Sequence, residues 1–102
     1  MSFIYIITNK INDKVYIGKT DRTIDLRWKE HQTASRENSK KHYKLYAAMN
    51  KYGIENFFIG KIEECTTEMA NEREKYWIER FDSYNKGYNM TLGGDGTSLV
   101  CE

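Results

Sequence analysis

Residues 3–8 and 14–18 are two short apolar runs joined by Asn9-Lys10-Ile11-Asn12-Asp13. Phe3, Ile4, Tyr5, Ile6 and Ile7 are aromatic or β-branched, the types that suit a pleated, half-buried surface. Asn and Asp between the runs supply turn chemistry, so the pattern predicts a β-hairpin at the start of the chain. Each strand carries one tyrosine, Tyr5 and Tyr16. A strand tyrosine can lay its ring on the sheet and keep its hydroxyl at the wet edge. Aromatic pairs on hairpins mostly serve packing. The two tyrosines become a site only if other groups converge on them.

The downstream pattern supplies such groups. Gly18 is expected to turn the backbone sharply out of the second strand. Asp21 or Thr23 can then cap a helix over residues 24–34. In that helix Arg27 and His31 share a face one turn apart, and Leu26 on a neighbouring stripe is expected to anchor it. A guanidinium fork beside a titratable imidazole can clamp a phosphate. An ordinary polar helix face is the simpler reading of the same pair. Residues 42–52 predict a second helix whose core face is Leu45, Ala48, Met49 and Tyr52, ended by Gly53. Residues 57–62 read as a third strand.

A third helix is expected from Thr66 or Thr67 to about Phe81. Its apolar stripe is Ala70, Trp77, Ile78 and Phe81, and Glu74 lies on the same stripe. Glu72, Arg73, Lys75 and Glu79 fall on faces that water can reach. A carboxylate on a core-facing stripe is costly unless a metal ion, an arginine or a set of hydrogen bonds meets it. Structural pairing with Arg27 is one solution. Glu74 is nevertheless the acid the pattern singles out. Residues 88–91 suggest a short edge strand. Gly93-Gly94-Asp95-Gly96 precedes no helix, which makes it a weak phosphate-binding motif.

A chain of 102 residues is one domain, and 14% aromatic content argues against disorder. No apolar run is long enough to cross a membrane. The start lacks the basic flank of a signal peptide. Cys65 and Cys101 have no metal-ligand spacing, and both are expected to be reduced thiols in a cytoplasmic protein. Net charge is only +1, yet residues 1–51 hold eleven of the 16 basic and five of the 15 acidic side chains. A basic half is the footprint of phosphate binding. Lys19, Arg22, Arg27, Lys40, Lys41 and Lys44 are the candidate phosphate contacts.

The order of these pieces resembles the GIY-YIG nuclease family. The resemblance is carried by Phe3-Ile4-Tyr5, Tyr16-Ile17-Gly18-Lys19, Arg27-Trp28 with His31, Glu72-Arg73-Glu74 with Tyr76-Trp77-Ile78, and Gly87-Tyr88-Asn89. Residues 44–57 are most similar to phage and viral homing endonucleases. The first glycine of the family name is Phe3 here, at a strand start whose side chain does no chemistry in the family. The resemblance implies an α+β fold: a central three-stranded antiparallel sheet, beginning with the hairpin and flanked by about three helices. It implies a nuclease domain over residues 1–96, with 97–102 as a tail or the start of a linker, monomeric as an isolated domain.

It further implies a metal-dependent DNA endonuclease with one divalent ion, Mg2+ or Mn2+, on a single glutamate. By motif position that is Glu74, with Glu72 as the competitor. The expected roles are Tyr5 as general base, Tyr16 orienting water or phosphate, and Arg27 stabilising phosphoryl charge, with the two tyrosine roles interchangeable. Lys19 and His31 would favour a phenolate, His31 is a second candidate base, and Asn89 would bond a tyrosine or the scaffold around the metal. A structure-specific repair or recombination nuclease of the same fold is one alternative. A catalytically inactive nucleic-acid-binding module is the other.

Overall fold

The computed structural model describes residues 1–37 and 43–90. Three strands form one antiparallel sheet: β1 (Ser2–Asn9), β2 (Val15–Thr20) and β3 (Phe57–Cys65), in the order β2-β1-β3. Its helices are α1 (Ile24–Ser35), α2 (Lys44–Tyr52), α3 (Ala70–Phe81) and the single turn α4 (Ser83–Lys86). The expected α+β architecture is therefore present.

The hairpin is closed by its asparagines. Asn9 Oδ1 accepts from Ile11 N at 2.9 Å and Asn12 Oδ1 from Lys14 N at 3.0 Å, and Asp13 takes φ 64°. These are the local side-chain bonds that make Asn and Asp turn formers. Thr23, not Asp21, caps α1, accepting from Leu26 N at 3.2 Å. Thr66 caps a 3-10 turn that leads into α3.

The hairpin places β1 in the middle of the sheet and leaves β2 at an edge. Tyr5 pairs with Gly18 across the strands, and Ile7 with Tyr16. Cross-strand partners share a face. On that face Tyr5 and Ile7 pack with Leu45, Ala48 and Met49 from α2 and with Phe57 and Tyr88. On the other face Ile4 and Ile17 meet Ile78 of α3, with Trp77 and Ile62 beside them. A bulge between Ile4 and Tyr5 sets Ile4 opposite Glu63 and Tyr5 opposite Lys61.

Several expectations are corrected. Leu26 is 41% exposed and does not anchor α1, because Ile24 and Trp28 pack on the core instead. Phe81, the last residue of α3, is 43% exposed, with its ring 5.9 Å from that of Trp77. Arg73 is reached by water, its side chain 34% exposed, but it is also paired: its Nε bonds both carboxylate oxygens of Glu63, and Trp77 Nε1 donates to the same group. Residues 87–90 form no strand. Tyr88 N donates to Val15 O at 2.9 Å, and the segment then covers the free edge of β2 with a side chain. This close approach explains why Gly87 has no side chain, since a Cβ there would meet Val15 O at 2.3 Å. The Gly-Gly-Asp-Gly run, Lys40 and Lys41 lie outside the described residues.

Gly18 is also corrected. It lies inside β2, not at a turn, and its missing side chain makes room for Tyr5: a Cβ would stand 2.3 Å from both Tyr5 Cζ and the Tyr5 hydroxyl. The Tyr5 ring is 1% exposed and has nowhere to move. Overpacking of this kind costs about 1–3 kcal/mol. Gly18→Ala is expected to lower the melting temperature by several degrees in a thermal scan; an unchanged melt would mean the ring relocates freely.

Candidate active site

Tyr16 from β2, Arg27 and Glu30 from α1, Tyr46 from α2, Glu74 from α3, and Asn89 line one cavity of about 600 Å³ beside the free edge of β2. The elements explain the convergence. Alternation along β2 turns Tyr16 and Gly18 to the face covered by α1 and α2. Arg27 and His31, four apart on α1, both point back at that face. Glu74 sits on α3 between the buried Ala70 and Ile78, one turn away on either side. Glu74 is half-buried and lines the cavity, whereas Glu72 is exposed and does not.

Behind the cavity runs a chain of hydrogen bonds. Arg27 Nε donates to the Tyr5 hydroxyl at 3.3 Å, that hydroxyl meets His31 Nε2 at 2.8 Å, and His31 Nδ1 meets the Tyr46 hydroxyl at 2.9 Å. His31 is 1% exposed, with Tyr5, Tyr16 and Tyr46 ringed around it at centroid distances of 5.6–5.8 Å. Burial, reinforced by the Arg27 charge, lowers the His31 pKa to about 3. His31 is therefore neutral. It neither clamps a phosphate nor supplies a charge that would favour a phenolate, and its ring nitrogens are occupied by two tyrosines.

The tyrosines separate by strand. Tyr5, on the central strand, is buried, and its hydroxyl is held by His31 and Arg27. Burial pushes its pKa up to about 12 against the opposing pull of Arg27. Tyr16, on the edge strand, is half-buried and borders the cavity. Burial, then Tyr5 and Glu74 nearby, raise its pKa well above the ordinary value. The expected role of Tyr5 as general base does not suit a hydroxyl with no opening to the cavity.

Arg27 Nη1 also pairs with Glu30 at 3.1 Å, and Glu30 in turn accepts from Arg22 at 2.6 Å. Asn89 bonds neither tyrosine. Its amide accepts from Ile17 N and donates to Ile17 O, both at 2.8 Å, as a neighbouring strand would. It is the scaffold behind Tyr16. Tyr88 adds a second tie, with its hydroxyl 3.0 Å from Asn9 Nδ2 and 3.2 Å from Asn12 Nδ2. Lys19 shares the strand face of Ile17 rather than that of Tyr16, and Lys19, Arg22 and Lys44 do not line the cavity. Sequence reasoning missed Tyr46, Glu30 and the cavity-lining Lys29. The signal for Tyr46 was its place beside the apolar stripe Leu45–Met49, one turn from burial.

The GIY-YIG catalytic domain profile matches residues 1–89. Intron-associated endonuclease 1 of Enterobacteria phage T4 is 35% identical over 91 residues, 87% of this chain and 36% of that protein. The putative endonuclease segC of the same phage is 32% identical over 98 residues, 92% of this chain and 44% of that protein. A mutant of the catalytic domain of intron endonuclease I-TevI superposes with TM-score 0.81 at 32% identity, covering 91% of this chain and 96% of that one. Fold and sequence match together define a GIY-YIG catalytic domain. The chain belongs to the GIY-YIG family, and it spans less than half the length of these curated relatives. Among the described residues, no helix is long and apolar enough to cross a membrane.

Proposed function

We propose that this domain hydrolyses phosphodiester bonds of DNA with one divalent ion, Mg2+ or Mn2+, held by Glu74. The observation that carries the reading is the convergence of Tyr16, Arg27 and Glu74, from three separate elements, on one cavity. Among the described residues no three His, Cys, Asp or Glu side chains cluster. One hard carboxylate plus water is a donor set that suits Mg2+, which keeps several of its waters. When bound, the ion would neutralise charge on the phosphoryl and leaving oxygens.

The chain's own residues supply the rest. Arg27 presents a planar fork of donors to the scissile phosphate. Tyr16, the tyrosine at the cavity, takes the proton of the attacking water, so the two tyrosine roles are reversed from the sequence-based expectation. Tyr5 and His31 hold Arg27 from behind, and Asn89 holds the strand that carries Tyr16. The substrate class is supported by the endonuclease names of the relatives and by the basic first half of the chain.

Supercoiled plasmid is expected to be nicked when Mg2+ is present and to stay intact when it is chelated. DNA bound but uncut at saturating Mg2+ would leave a binding module instead. Preferential cutting of branched over linear DNA would favour the repair-type nuclease.

A further inference from the structure

We propose that Tyr46 is a positioning residue of this site: it accepts a hydrogen bond from His31 Nδ1, fixes the orientation of the imidazole, and through His31 and Tyr5 aims Arg27 into the cavity. The inference rests on the function proposed above and adds a residue to it.

Counting donors along the chain of hydrogen bonds decides its direction. Arg27 Nε–H can only donate, so the Tyr5 oxygen is the acceptor at 3.3 Å. The Tyr5 hydroxyl is buried, and its partners are Arg27 and His31. Its own proton needs an acceptor, since a buried donor left unmade is expensive. Arg27 offers none, so His31 Nε2 must accept at 2.8 Å. A neutral imidazole has one donor and one acceptor. Nδ1 therefore carries the proton and donates to the Tyr46 oxygen at 2.9 Å. The low pKa of His31 is consistent with the single proton this count requires.

Tyr46 is well placed to hold the ring in this orientation. Its helix is seated on the core by Leu45 and Met49 on either side of it, and its ring meets His31 at 5.7 Å and Tyr43 edge-on at 5.7 Å. Tyr46 itself is half-buried and borders the cavity, so its hydroxyl is not part of the core packing. Removing the hydroxyl leaves the buried Nδ1–H without this acceptor. The Tyr5 proton still needs Nε2 as its acceptor, so the tautomer stays and the imidazole loses the bond that fixes its orientation. A ring held at Nε2 alone can tilt and carry the Tyr5 hydroxyl with it, and the guanidinium follows toward Glu30, already 3.1 Å from Nη1. A misaimed phosphate-binding group costs rate more than affinity.

The test joins a spectroscopic reading to a kinetic one. Long-range 1H–15N correlation on the wild-type domain should show His31 neutral and protonated on Nδ1. In Tyr46→Phe, which keeps the ring, the proton should stay on Nδ1 but exchange faster with solvent, its acceptor gone. Single-turnover plasmid cleavage by Tyr46→Phe should be about 10–100-fold slower, the usual effect of losing such a supporting bond, with DNA affinity little changed and the melting temperature lowered by a few degrees, as the unmade buried donor requires. Wild-type His31 protonated on Nε2 would overturn the proposal, and so would Tyr46→Phe cutting at the wild-type rate. Slow cleavage with an unchanged exchange rate of the Nδ1 proton would assign Tyr46 to packing and overturn it too. A wild-type domain that cuts no plasmid would instead sink the proposed function, while the tautomer is still read without substrate.

Discussion

Glu74→Ala is expected to abolish Mg2+-dependent cleavage while the domain still folds and binds DNA. A bound divalent ion contributes several kcal/mol of charge stabilisation in the transition state, and about 4 kcal/mol is about a thousandfold in rate. Glu74 reaches the cavity because it shares a stripe with Ala70 and Ile78, the two buried residues of α3. Its charge is felt at both tyrosines, raising the pKa of Tyr5 and of Tyr16. Glu72, two residues earlier, is exposed on another face of the helix. Glu72→Ala is therefore the control, expected to cut like wild type. The measurements are single-turnover cleavage at saturating Mg2+ and DNA affinity without metal. Near-normal cutting by Glu74→Ala with a dead Glu72→Ala would place the metal on the wrong side of the helix.

Periodicity carried the fold a long way. The 3.6-residue stripes of α2 and α3 and the aromatic, β-branched run of β1 are strong local signals, and each element lies where its pattern put it. Glu74 was legible for the same reason, as an acid out of place on an apolar stripe. What local pattern cannot show is sheet order. Tyr5 and Tyr16 look equivalent along the chain, and only the order β2-β1-β3 buries one and leaves the other at an edge. His31 was misread for a related reason. Its helix is polar on average, and its burial comes from Tyr46 of a different helix closing over it. Gly18 looked like a turn because the ring that needs its space belongs to another strand. The ends of stripes were the least legible. Phe81 and Leu26 are apolar by composition, yet the core has no surface left at those positions.

The contrast between the two tyrosines is the sharper test of mechanism. Phenylalanine keeps ring and strand preference and removes only the hydroxyl. Tyr16→Phe should keep its packing against Tyr5 and His31, at 6.4 and 5.6 Å between ring centroids, and melt like wild type. Losing a general base typically costs about 10²–10⁴-fold, and that loss is expected in single-turnover cleavage. Tyr5→Phe should behave differently. It leaves the buried His31 Nε2 without its donor and Arg27 without its acceptor, a loss of about 1–3 kcal/mol that lowers the melting temperature along with the activity. The pH profile adds an independent reading. Burial, Tyr5 and Glu74 hold the Tyr16 hydroxyl protonated at neutral pH. The active form of a base is the deprotonated one, and its population grows as pH rises toward a raised pKa. The wild-type rate should therefore climb with pH through the neutral range, and the residual rate of Tyr16→Phe should lack that climb. A Tyr16→Phe domain that melts normally and cuts at full rate would remove the tyrosine from the chemistry. A Tyr5→Phe domain that melts normally but is dead would return the base to the central strand.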